Sequence, residues 1–130
     1  DPTLYQTEPH GPDSYRAWVR RHMDERRGMV LACEVDGTVA GYILGAQGQR
    51  SPVFSIRKVG MIFDLAVRPD CRRRGIGRLL VDGARDRFAE MGITHLQVNY
   101  DPRNQAAADF WADQGFETLL CEAYSHISER

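Results

Sequence analysis

Apolar and polar positions follow two rhythms along this chain, and the switches between them delimit its elements. Tyr15, Trp18, Val19, His22 and Met23 recur at helical spacing, which predicts an amphipathic helix from about Asp13 to Arg27. The twelve residues before it hold three prolines and no periodicity, so they read as loop. Val30–Val35 and Thr38–Ala46 read as paired strands joined at Asp36-Gly37, a two-residue hairpin turn. Gly41 and Gly45 weaken the second of them. A polar loop over 47–58 leads to Met61–Val67, an apolar run bounded by Pro69 and read as a buried strand. Ile76, Leu79, Leu80, Ala84, Phe88 and Met91 restore the helical rhythm, and Gly92 ends it.

The remainder predicts a strand over Ile93–Tyr100, with Leu96, Val98 and Tyr100 on one face. A helix follows, capped by Asn104 and stopped by Gly115, with Ala107, Phe110, Trp111 and Gln114 on one face. Phe116–Ile127 is expected to close the chain as one strand or two short ones. The order predicts an α/β chain of the α+β type: a mixed sheet with helices on both faces. At 130 residues it is expected to form a single domain over 1–130.

The chemistry concentrates where the strand ending at Val67 passes into the following helix, through Arg68-Pro69-Asp70-Cys71-Arg72-Arg73-Arg74-Gly75-Ile76-Gly77-Arg78. Gly75 and Gly77 lack Cβ atoms, so another group can approach that backbone. The first amides of a helix have no intrahelical partner and lie at the positive end of its dipole. With Arg72, Arg73, Arg74 and Arg78 around them, they make an anion site suited to phosphate. No Gly-Lys-Ser/Thr is present, which excludes the nucleotide-triphosphatase loop, and Leu80 stands where a dinucleotide fingerprint needs its third glycine.

Arg72-x-x-Gly75-x-Gly77 resembles the Q/R-x-x-G-x-G/A signature of the GNAT superfamily of N-acetyltransferases. Asn104-x-x-Ala107, the pair Phe110-Trp111 and Gly115-Phe116 resemble that family's later motif, in the right order and with a strand between. The resemblance covers roughly residues 28–125. It implies a central, mostly antiparallel sheet and direct transfer of an acetyl group from acetyl-CoA, a co-substrate, to a primary amine. The first strand and helix of that fold are expected to be missing. A further implication assigns the pyrophosphate to the loop Arg72, Arg73, Arg74, Gly75, Ile76, Gly77 and Arg78. The pantetheine arm would pair with the backbone of Leu65, Ala66 and Val67, where an N–H would stabilise the oxyanion. Asn104, Phe110 and Trp111 would contact the coenzyme; for Asn104 a plain helix cap is the alternative.

The acid and the base depart from the family pattern. Many members carry tyrosine where Trp111 stands, and an indole N–H donates a hydrogen bond without releasing its proton near neutral pH. Tyr100 and Tyr124 are the substitutes, or else core tyrosines. Phe63 and Met61 occupy the usual positions of the base. Asp64 is the remaining candidate if a bulge re-aims it, and otherwise a partner for the loop or for Arg68. Asn99, Asp101, Glu34 and Glu122 are candidates for holding a cationic acceptor. A non-catalytic acyl-CoA sensor is the alternative to an enzyme.

Composition narrows the partners. Net charge is −1, so no global field favours nucleic acid or an anionic membrane. Neither is expected as a partner, and the arginine run without interleaved aromatics is a poor nucleic-acid patch. Cys33, Cys71 and Cys121 fit no metal spacing and point to reduced thiols in a cytoplasmic protein. Cys71 is expected to pack rather than react. The histidines fit no ligand pattern, so no metal is expected. No apolar run is long enough to span a bilayer, and no signal peptide is expected. The acceptor is expected to be a small-molecule amine or a protein N-terminus, and a homodimer is possible.

Overall fold

The computed structural model describes residues 28–128, so the helix expected from Asp13 to Arg27 lies outside the described residues. The chain divides into two compact units between Asn99 and Tyr100.

The first unit is built on one sheet. Gly28–Val35 (β1), Thr38–Gln49 (β2), Lys58–Val67 (β3) and Leu96–Val98 (β4) lie in that order. β1, β2 and β3 pair antiparallel, while β3 and β4 pair parallel, giving the mixed sheet expected. Asp36 (φ 52°) and Gly37 (φ 77°) are both left-handed, as a type I′ hairpin turn requires. The polar stretch 47–58 is shorter as a loop than its composition suggests. Gln47, Gly48 and Gln49 pair with Gly60, Val59 and Lys58, because a backbone ladder accepts polar side chains. At the hairpin tip Arg50 N–H donates to the Arg57 carbonyl at 2.6 Å, and the Arg50 guanidinium covers the Phe54 ring at 4.1 Å.

Helix α1, Ile76–Glu90, packs on one face of this sheet. Ile76, Leu80, Val81, Ala84 and Phe88 are buried, together with Met29, Ile43, Ile62 and Ile93. Leu79, expected on the same face, is instead exposed. At helical pitch it falls about 60° outside the stripe that the buried residues define. Gly60 is where the packing is closest. A Cβ there would come within 2.7 Å of the Phe88 ring and 2.8 Å of Leu96, so the absent side chain lets both seat on β3. Gly92 (φ 78°) ends the helix, with Ile93 N–H returning to the Phe88 carbonyl at 3.0 Å.

The second unit contains helix α2, Gln105–Asp113, capped by Asn104 and ended before Gly115 (φ 90°). Trp111 is buried and meets Phe110 and Phe116 edge-on, with ring centroids 5.0 and 5.1 Å away. Two expectations fail in this region. The strand predicted over Ile93–Tyr100 is reduced to Leu96–Val98, which leaves Tyr100 outside it. Phe116–Ile127 forms no strand. Leu119, Leu120 and Ile127 are 85%, 87% and 94% exposed, so the segment buries too little apolar surface to hold an extended pairing. Among the described residues no helix is long and apolar enough to cross a membrane.

Candidate functional site

The strand-to-helix turn after β3 is fixed at its entrance by charge. The Arg68 guanidinium grips Asp70 through two hydrogen bonds of 3.0 and 2.6 Å. That grip holds the Asp70 carboxyl at about 2, so the pair stays ionised throughout the neutral range. Arg68 also ties the turn to β2, its N–H donating to the Ala40 carbonyl at 2.8 Å. A single 3₁₀ turn, Pro69–Cys71, then buries the Cys71 thiol, in keeping with a packing role.

Beyond it the backbone reverses hand. Arg73 (φ 65°) and Gly75 (φ 78°) are both left-handed. Only glycine takes the second position without strain, and it stands as the N-cap of α1 with no side chain over the helix end. The first helical bond runs from Leu79 N–H to the Gly75 carbonyl at 3.0 Å. The amides of Ile76, Gly77 and Arg78 therefore have no intrahelical acceptor. Arg72, Arg73, Arg74 and Arg78 are exposed, and none pairs with a carboxylate among the described residues. The result is a cationic loop around an open helix N-terminus, chemically fitted to a phosphate or pyrophosphate.

The strand leading into this loop has an open edge. β3 pairs with β4 only over Gly60, Met61 and Ile62. From Leu65 to Val67 that side of β3 has no strand partner among the described residues. Because Arg68 N–H points to β2, alternation turns the amides of Val67 and Leu65 toward the open edge. An extended, amide-bearing ligand can add to such an edge as a further strand.

A bulge decides where Asp64 points. Leu44 pairs with Asp64 and Gly45 with Ile62, so Phe63 is the extra residue. Asp64 consequently shares the face of Tyr42, Leu44 and Ala66, opposite α1. The Tyr42 hydroxyl donates to Asp64 Oδ2 at 2.8 Å. This bond, with burial second, lifts the Tyr42 phenol above its ordinary pKa. Asp64 is half-buried, and Arg68 pairs with Asp70 rather than with it.

The remaining candidates belong to the second unit. Asn104 Oδ1 accepts from Ala107 N–H at 3.1 Å, so the side chain caps α2. The amide nitrogen of Asn104 is not part of that cap. Phe110 is half-buried beside the buried Trp111. Tyr100 hydroxyl lies 3.1 Å from Thr118 Oγ1, and Tyr124 is 45% exposed; neither is in a strand. Asp101 is gripped by Arg103 at 3.0 and 2.9 Å, which lowers its pKa. Among the described residues no three metal-ligating side chains gather.

Residues 1–116 match the acetyltransferase (GNAT) family. The chain belongs to that family. Among curated GNAT relatives, it is 30% identical to an L-2,4-diaminobutyric acid acetyltransferase of Nocardia farcinica, over 76% of this chain and 47% of that protein. It is 24% identical to the uncharacterized N-acetyltransferase YhfO of Bacillus subtilis, over 78% of this chain and 66% of that one. The chain thus spans about half to two thirds of the length of these relatives. In fold it is similar to AAC(6')-Iy solved with a bisubstrate analogue carrying CoA, with a TM-score of 0.79 at 16% identity over 91% of this chain and 81% of that one. An aminoglycoside 6'-N-acetyltransferase of Acinetobacter haemolyticus gives 0.76 at 15% identity, over 91% and 82%.

Within this GNAT chain, sequence reading had placed the glycines and arginines of the loop but missed the Arg68–Asp70 clamp and the Tyr42–Asp64 pair. The first had a signal, an arginine and an aspartate flanking Pro69. The second had none, because the two residues are far apart in sequence and meet only through the β2–β3 register.

Proposed function

We propose that the protein transfers the acetyl group of acetyl-CoA directly to the primary amine of a small molecule. The observation that carries this reading is the junction of β3 and α1. There an open strand edge runs straight into a cationic loop with free helix amides. The edge suits the two amides of a pantetheine arm, and the loop suits the pyrophosphate at its far end. Arg72, Arg73, Arg74 and Arg78 would neutralise the phosphates, and the amides of Ile76 and Gly77 would receive them. Leu65, Ala66 and Val67 would hold the arm, with a Leu65 or Val67 N–H donating to the thioester oxygen as it becomes an oxyanion.

In this reading Asp64 takes the proton from the acceptor ammonium, directly or through water, so that nitrogen can attack the carbonyl carbon. The carbon–sulfur bond then breaks and the thiolate leaves. Tyr100 or Tyr124 would protonate it, or water would. Asn104, Phe110 and Trp111 complete the coenzyme contacts. The diaminobutyrate acetyltransferase and the aminoglycoside enzymes among its relatives support a small cationic acceptor over a protein N-terminus. The family match covers the first unit and extends into the second, to residue 116, which supports treating 1–130 as one catalytic domain. The free thiols support a cytoplasmic setting, and the exposed Leu119 and Leu120 support a homodimer.

Trp111 favours a second reading, an acyl-CoA-binding module without turnover. The indole stands where many relatives carry a proton-donating phenol. Thiol release from acetyl-CoA separates the two, measured with a diamino acid, an aminoglycoside and a peptide offered in turn. Amine-dependent release is expected. Tight acetyl-CoA binding with no release for any amine would favour the module.

A further inference from the structure

We infer that Asp70 is a positioning residue for coenzyme binding: it holds Arg68 at the entrance of the loop 72–78, so that Arg68 shapes the phosphate site instead of contacting the phosphates. This role rests on the reading of that loop as the pyrophosphate site. Arg68 is the hub of the turn. Its N–H donates to the Ala40 carbonyl at 2.8 Å, and its own carbonyl accepts from Cys71 N–H at 2.9 Å. Its guanidinium donates to both oxygens of Asp70, at 3.0 and 2.6 Å, and reaches the Val39 carbonyl at 3.5 Å. The start of β2, the end of β3 and the 3₁₀ turn Pro69–Cys71 therefore meet on one residue. Arg72 follows directly, and the left-handed Arg73 and Gly75 set the path to the open amides of α1.

Arg68 differs from the arginines beyond it. Arg72, Arg73, Arg74 and Arg78 pair with no carboxylate among the described residues. Arg68 has a carboxylate seated on its Nε–Nη2 edge, the two-bond geometry in which an exposed ion pair keeps its place. The edge that would grip a phosphate is thus engaged by Asp70, which stays ionised with its carboxyl held at about 2.

The charge of Asp70 gives the test its sign. A carboxylate beside a phosphate site repels the ligand, so by charge alone Asp70→Ala would tighten acetyl-CoA binding. Loss of the clamp does the opposite, because the ligand must then order a loop that the clamp had held ready. Calorimetry on the full chain would compare acetyl-CoA with S-acetylpantetheine, which lacks the phosphates, for wild type, Arg68→Ala, Asp70→Ala and the double variant. Each single substitution is expected to weaken acetyl-CoA binding about threefold to tenfold, and the double variant no more than Arg68→Ala alone, since both remove one coupling. S-acetylpantetheine affinity should not change. Asp70→Glu, which keeps a carboxylate within reach of the guanidinium, should recover most of the loss. Unchanged or tighter acetyl-CoA binding in Asp70→Ala would overturn the inference. So would additive losses in the double variant, or equal losses for both ligands. Failure of the pyrophosphate reading would look different. The wild-type chain would then bind both ligands equally, before any substitution, and Asp70 would have no coenzyme to position.

Discussion

Gly77→Glu is expected to lower acetyl-CoA affinity at least about a hundredfold, close to 3 kcal/mol, while the protein stays folded. The reason is a competition for one electrostatic site. Gly77 lies in the first turn of α1, where the backbone amides have no intrahelical acceptor. Its φ is not left-handed, so a side chain fits the backbone there. Glutamate is a better helix former than glycine, by roughly half to one kcal/mol, and a carboxylate in the first turn is favoured by the dipole. The features that attract a pyrophosphate would therefore accommodate the new carboxylate, whose charge and bulk then oppose the ligand. Calorimetric titration with acetyl-CoA and thermal melting are the checks. Near wild-type affinity in a folded variant would remove the loop from coenzyme binding.

Asp64→Asn is expected to lower kcat by about 10²–10⁴ near pH 7, the usual range for loss of a general base. Acetyl-CoA binding should be unaffected, because the substitution leaves the β3 backbone and the loop in place. The amide keeps the shape of the carboxylate and can still accept from Tyr42, so an effect on kcat reports the lost charge and basicity rather than lost packing. Equal kcat in variant and wild type across pH 5–9 would assign proton removal to water or to another group.

The sequence made the first unit legible because its signals were local and mutually consistent. Asp36-Gly37 can hardly be other than a hairpin turn, and the Ile76, Leu80, Ala84, Phe88 stripe can hardly be other than one helix face. Asn104 and Gly115 bracket a helix by side-chain and backbone chemistry that acts within a few residues. What was illegible depends on pairing. Where β2 ends was hidden because Gln47–Gln49 carry no apolar pattern, yet their backbone pairs with β3. The extent of β4 was overestimated because alternation in Ile93–Tyr100 continues past the last parallel bridge to β3. Leu119 and Leu120 looked like strand residues and lie exposed, since apolar content signals a strand only when something covers it.

The candidate site divides in the same way. The anion-binding loop is written in consecutive residues, so its glycines and arginines were found directly. The left-handed Arg73 was not foreseen, because arginine has no preference for that region. The orientation of Asp64 hung on a bulge that strand alternation alone argues against. The register supplies that bulge, and with it the Tyr42 partner.

The central claim is that the β3–α1 loop binds the pyrophosphate of acetyl-CoA. Its most direct test is the ratio of affinities for acetyl-CoA and S-acetylpantetheine, which shares the arm and thioester but lacks the nucleotide and its phosphates. Calorimetry on the wild-type chain is expected to give a ratio of at least tenfold, falling as salt rises because charge-assisted contacts to arginine and helix amides are screened. A ratio near one, unchanged by salt, would contradict the account.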